Sequence, residues 1–292
     1  MTYTHNSPQK DFIRNKWIEF AKEIYDGKGH TFGIITFPAE AMQDLYLFKQ
    51  EGLIDWQEVE TTSKDGQRNY KIVKGNVRCF EKKTSVFNIL TEKLIEAKVN
   101  NDDFCAYVVS NYSRIMGGSD KTFPVDVVNL DFEARLYPNN KYPIDSTVKC
   151  IFEFQKKHKR DISLFLTWPV VENDDIAEYK DLLHSVIETN LDDPSALRFK
   201  ESFENKIGTI DALEYERKSI IGVAKIIIKK ASQNLYTLSK AEFYVYGGGR
   251  QQRMISLLYN FKYSDKTGQE NIIYSNDVIN SLVDVVDVDK II

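Results

Sequence analysis

The stretch AEFYVYGGGRQQRMISLLYNFKYS, residues 241–264, holds two runs rich in aromatic and branched residues on either side of Gly247-Gly248-Gly249. Such runs read as β-strands, and the glycines between them read as a turn or bulge. The stretch therefore predicts two adjacent antiparallel strands near the end of the chain. The glycines followed by Arg250 are not a phosphate loop. They precede a strand instead of a helix and lack the Lys-Ser/Thr pair that such a loop needs.

Upstream, strands alternate with helices. HTFGIITF (30–37) is short, apolar and β-branched, and so predicts a buried strand. Pro38 is expected to open a helix that Gly52 ends. Asp65-Gly66 lies between two extended stretches and marks 56–74 as an inserted hairpin. NVRCF (76–80) predicts a strand, Thr84 to Lys98 an amphipathic helix, and DFCAYVVSN (103–111) a further strand. PVDVVNLDF (124–132), a helix from Ile144 to Lys157 and the strand DISLFLTW (161–168) follow. This order predicts an α/β fold, with a Rossmann-like, doubly wound and mostly parallel sheet of about seven strands that ends in an antiparallel hairpin. Residues 1–29 are expected to form an N-terminal helix, 30–265 the α/β domain with a helical segment at 173–232, and 266–292 a tail.

Composition narrows the function classes. The chain has 292 residues, 42% of them hydrophobic, which supplies enough apolar surface to offset chain entropy and argues against disorder. The formal charge of -4 gives no support to a nucleic-acid groove, since dedicated binders are more often basic. Cys79, Cys105 and Cys150 are widely spaced and odd in number, as expected of buried free thiols in a reducing compartment. The opening residues carry no apolar signal core, and the apolar run Ile220–Ile228 is too short to span a bilayer. A cytoplasmic protein without membrane contact is the expectation. His5, His30, His158 and His184 show no ligand spacing, so no metal site is expected. The run Lys156-Lys157-His158-Lys159-Arg160 closes a helix, where positive charge is favoured; contact with phosphates is the other reading.

With these elements placed, residues 30–265 resemble the class I S-adenosylmethionine-dependent methyltransferases, whose last strand is inserted antiparallel beside the fifth. Thr31–Phe37 resembles the first strand, and Asn76–Phe80 followed by Glu81 resembles the second strand with its ribose-binding acid. Pro124–Phe132 resembles the fourth strand with a catalytic-loop motif, Asn129-Leu130-Asp131-Phe132. The resemblance implies cofactor contacts at Thr36, Phe37, Ala39 and Glu81, and substrate-side roles for Asn129, Asp131 and Phe132. Taken without the resemblance, Glu81 is also a surface acid beside Lys82 and Lys83, Asp131 a loop cap and Phe132 a core residue.

The loop Thr36-Phe37-Pro38-Ala39-Glu40 departs from the family pattern, because it has no glycine to let the backbone approach a ligand. Weak or absent binding of S-adenosylmethionine is therefore the expectation. Two functions follow. One is a transferase acting on nucleic acid. The other is a catalytically inactive methyltransferase-like subunit of a larger nucleic-acid-processing or phage-defence complex, which would make a protein its partner.

Overall fold

The computed structural model describes residues 7–27, 29–59, 69–132, 136, 144–170, 177–247, 253–264 and 284–292. Helix α1 spans Pro8–Ile24, capped by Ser7, whose hydroxyl accepts from Lys10 N–H. Strand β1 (Gly33–Thr36) and helix α2 (Gln43–Gln50) follow, then β2 (Asp55–Val59), β3 (Asn69–Lys74), β4 (Asn76–Phe80) and α3 (Thr84–Lys93). Next come β5 (Leu94–Ile95), β6 (Lys98–Asn100), α4 (Phe104–Ser110), α5 (Tyr112–Met116), β7 (Val127–Asp131), α6 (Ile144–Lys156) and β8 (Ile162–Pro169). The chain continues through α7 (Ala177–Leu191), α8 (Leu197–Lys206) and α9 (Tyr215–Gln233) to β9 (Tyr236–Gly247), β10 (Arg253–Tyr263) and β11 (Val286–Asp287).

Eight strands form one sheet in the order β11-β9-β10-β8-β7-β1-β4-β6. Only β10 runs against the others. It is antiparallel to both β8 and β9, while the remaining neighbours pair in parallel. The expected α/β class and terminal antiparallel hairpin are therefore present, with one strand more than foreseen, the two-residue β11. The inserted strand is β10, placed beside β8 as the antiparallel hairpin requires. The turn at Gly248-Gly249-Arg250 and the Asp65-Gly66 turn lie outside the described residues.

The chain leaves β1 toward β4 and β6, then returns to β7 and β8 on the other side. Strand order thus reverses between β1 and β7, and the carboxyl ends of these two strands flank the switch-point crevice of an open α/β sheet. The sheet is covered on both faces. Ile34, Val127, Phe165 and Leu258 pack with Trp17 and Phe20 of α1 and Leu45 of α2. Ile35, Val128, Leu164 and Leu257 pack against residues of α4, α6 and α9. Strand β8 is buried along its whole length, which explains its unbroken apolar run.

A second, smaller sheet of order β2-β3-β5 stands beside the main one. Its β2 and β3 pair antiparallel from Asp55–Lys74 to Val59–Asn69.

Three local expectations are corrected. Residues 103–111 are helix α4 and not a strand. Asp103 caps it by accepting from Ala106 N–H at 3.1 Å, and Phe104, Tyr107 and Val108 are buried at helical spacing. The edge-strand position belongs to the three-residue β6, too short to announce itself. Helix α3 stops at Lys93, short of Lys98. Pro38 does not open a helix: a turn intervenes, and α2 begins at Gln43 behind Met42, which has φ +51°.

The three cysteines are free and buried, and burial pushes the Cys79 thiol up to about 12 and the Cys105 thiol up to about 11. Among the described residues no helix is long and apolar enough to cross a membrane, and no three His, Cys, Asp or Glu side chains are grouped to hold a metal ion.

Candidate functional site

The seven residues singled out from the sequence all lie at or just beyond the carboxyl ends of β1, β4 and β7, but alternation along the strands divides them. Successive side chains of a strand point to opposite faces. Thr36, Asn129 and Asp131 thus face α1 and α2, whereas Phe37 and Phe132 face the side of α4. The Asn129-Leu130-Asp131-Phe132 motif does not present its polar and aromatic members to one pocket. It feeds two different layers.

On the first face the polar residues are knitted together. Asn129 is fully buried, and its Nδ2 donates to Thr36 Oγ1 at 3.3 Å and to Asp44 Oδ2 at 3.4 Å. Two cations from the first turns of α1 reach in. Lys10 pairs with Asp131, and Arg14 Nε donates to Asp44 Oδ1 at 2.9 Å, its Nη1 to Asp11 at 3.0 Å. Burial raises the Asp44 carboxyl above its usual range, and the Asp131 charge adds to this, while Arg14 and Lys10 oppose it. Tyr246, at the end of β9, is buried in the same neighbourhood. Burial pushes its hydroxyl well up, and the Asp131 and Asp44 charges push the same way. Tyr246 Oη and Asn129 Oδ1 are both buried without a hydrogen-bond partner. Lys10, Arg14, Asp44 and Tyr246 escaped the reading of the sequence. A signal for the first two was present, because a four-residue spacing puts both cations on one helical face. Nothing local distinguished the other two.

On the second face an aromatic chain runs along the edge. Phe80 packs on Phe104 with centroids 4.9 Å apart, Phe104 on Phe37 at 6.0 Å, and Phe37 on Phe132 at 5.7 Å. Phe37 is thus part of the hydrophobic layer, and this chain links the Glu81 end of the edge to the Asp131 end. Glu81 directly follows β4. Its N–H bonds Asn100 O at 3.0 Å, and its Oε1 accepts from Lys83 N–H at 2.7 Å, at the start of α3. The side chain is half-buried.

The turn between β1 and α2 has no glycine, yet Ala39 has φ +44° and Met42 φ +51°. Left-handed backbone costs a non-glycine residue about 1–2 kcal/mol. Two such residues within four positions are held by the surrounding fold, with Met42 N–H bonding both Pro38 O and Ala39 O. The backbone shape that glycine serves is thus kept without glycine. That feature, with the acid closing β4, fits an adenosyl ligand lying across the edge.

No protein-family model matches the chain, and no curated protein does. Among solved structures the chain is similar to the O-methyltransferase from a trans-AT polyketide synthase multienzyme of Brevibacillus brevis, in complex with S-adenosyl-L-homocysteine. The identity is 9%, over 97% of this chain and 83% of that one, with a TM-score of 0.35. It is also similar to the StiE O-methyltransferase segment, at 9% identity over 92% of this chain and 81% of that one, with a TM-score of 0.31. The strand order, not these distant likenesses, carries the fold assignment.

Proposed function

We propose that the chain is a methyltransferase-like protein whose carboxyl edge takes S-adenosylmethionine, weakly, across the ends of β1 and β4. The carrying observation is the strained turn. Non-glycine residues in left-handed backbone persist where the fold over-determines them, and they cluster at ligand sites. Glu81 would accept from the ribose hydroxyls, and the 37–42 backbone would lie along the methionine part. When bound, this cofactor supplies an electrophilic methyl group. Weakness follows from Pro38, which has no N–H to offer a carboxylate, and from Phe37, whose ring joins the aromatic layer.

Calorimetric titration with S-adenosylmethionine and S-adenosylhomocysteine tests this reading. Saturable binding in the range of about 0.1–1 mM, weakened at least about tenfold by Glu81→Ala, is the expected result, since a lost charged hydrogen bond contributes on the order of 1.5–3 kcal/mol. No heat at millimolar ligand, or heat that Glu81→Ala leaves alone, would overturn it.

A second prediction concerns the turn. Ala39→Gly removes the left-handed strain but returns freedom to the unfolded chain, so the net gain in stability is about 0.5–1 kcal/mol. Urea unfolding of both proteins checks this, and the same variant should bind S-adenosylmethionine more tightly. A loss of stability would show that Ala39 is not strained.

The second functional reading, a non-catalytic subunit, is favoured by one contact: Lys10 ties up Asp131, the carboxylate at the end of β7. Lys10→Met separates the readings. A protein that then transfers methyl groups to nucleic acid supports a blocked enzyme. Ligand binding without transfer in both forms supports the subunit.

A further inference from the structure

A second polar cluster lies on the other face of the sheet, at its β6 edge, away from the polar network under α1. In the parallel pairing of β4 with β6, Arg78 stands directly beside Lys98. Neighbouring strand residues in register project to the same face, and like charges placed so repel. The one carboxylate they share is Asp120. It is buried, and it is already engaged. Its Oδ1 accepts from Thr122 N–H at 2.9 Å, Thr122 Oγ1 at 2.6 Å and Lys98 Nζ at 3.1 Å, and its Oδ2 accepts from Tyr107 Oη. Three of the four bonds fall on Oδ1 and one on Oδ2, and none of them comes from Arg78. Burial alone would raise the Asp120 carboxyl, but these bonds outweigh it and hold it well below the usual range, so it stays ionised.

Arg78 is left over. It is 6% exposed, lies in mid-strand, and its Nε is sealed from solvent without a partner. Among the described residues no hydrogen bond or ion pair reaches its guanidinium. A buried guanidinium carries five donors in a planar fork and keeps its charge, so leaving it unanswered is costly. Two cations against one carboxylate leave the cluster with one excess positive charge. The Lys98 side chain is 41% exposed, so the cluster opens to solvent there.

We infer that Arg78 and Lys98 form a binding site for a compact oxyanion, a phosphate or carboxylate group, docked at the β4–β6 edge with Tyr107 and Thr122 beside it. The fork of Arg78 would take two oxygens, as guanidinium groups do with phosphate and carboxylate, and Lys98 a third contact as a point charge. The anion would relieve the repulsion between the two in-register cations.

The test uses the full chain and two probes, inorganic phosphate and acetate, each against chloride at matched ionic strength. Ligand-linked stabilisation should raise the melting temperature by at least about 3 °C at saturating phosphate or acetate, beyond the chloride control. The larger of the two shifts identifies the oxyanion class. Arg78→Met should abolish the shift. Should that variant fail to fold, Lys98→Met, a change at a surface position, should weaken the apparent affinity at least about tenfold, in line with loss of one charged contact. Wild-type melting that responds to phosphate and acetate no more than to chloride would overturn the site. So would a full response retained in Arg78→Met or Lys98→Met.

Discussion

Arg14→Met is expected to lower the unfolding free energy by about 3–5 kcal/mol at neutral pH, the usual cost of removing one partner from a buried ion pair. Both side chains of the Arg14–Asp44 pair are 8% exposed, so water cannot replace the lost guanidinium. The substitution keeps a long apolar stem against α2, so the deficit reports charge and not volume. What remains is Asp44 buried beside Asp131, with only Lys10 to oppose them.

The pH dependence fixes the cause. The Asp44 carboxyl is already raised by burial, and losing Arg14 raises it further. An acid whose folded pKa lies above its unfolded value binds more protons when folded, so stability falls as pH rises through that interval. The variant should therefore be most impaired near pH 7 and recover part of the loss near about pH 5, as Asp44 takes up a proton. Urea unfolding of both proteins at the two pH values measures this. A deficit unchanged between them would show that packing, and not the carboxylate, is responsible. Because α1 brings both Lys10 and Arg14 to the strand ends, the same loss should loosen the first turns of α1 and free the edge around Asp131.

The fold was legible because its deciding strands are long apolar runs. The stretch 241–264 holds the end of β9 and the whole of β10, and like β1, β7 and β8 these runs match strands that are largely buried on both faces. The failure at 103–111 has a physical source. Cys105, Tyr107, Val108 and Val109 favour a strand by propensity, but the Asp103 cap and burial of one helical stripe override it. A three-residue strand such as β6 carries too little pattern to compete with that signal. The candidate site was legible only as positions along the chain. Asn129, Asp131 and Phe132 were placed correctly near a strand end, yet alternation sends the aromatic and the polar residues to different faces. Lys10, Arg14 and Tyr246 reach the edge from elements far away in sequence, and local patterns carry no trace of such pairing.

Lys225→Met should remove a rise in stability of about 2–3 kcal/mol between pH 6.5 and pH 9. Lys225 interrupts the apolar run of α9 and is 3% exposed, with its ammonium 4.0 Å from the centre of the Phe199 ring. Burial pushes this ammonium down to about 7, with the Asp193 charge opposing only in part. Against an unfolded value of about 10.4, that shift corresponds to roughly 4–5 kcal/mol of penalty on the charged form. Methionine keeps a similar length and removes the titrating group. The sign with pH follows from proton binding. A lysine whose folded pKa is depressed binds fewer protons when folded, so wild-type stability rises from about pH 7 to about pH 10.4, where the penalty ends. The methionine variant lacks this slope. The stability difference between the two proteins should therefore shift by about 2–3 kcal/mol in favour of wild type between pH 6.5 and pH 9. Guanidinium unfolding of the two proteins at pH 6.5 and pH 9, conditions set on either side of the folded pKa, provides the comparison. A difference that stays the same at the two pH values would show that burial does not depress the Lys225 ammonium in the folded protein.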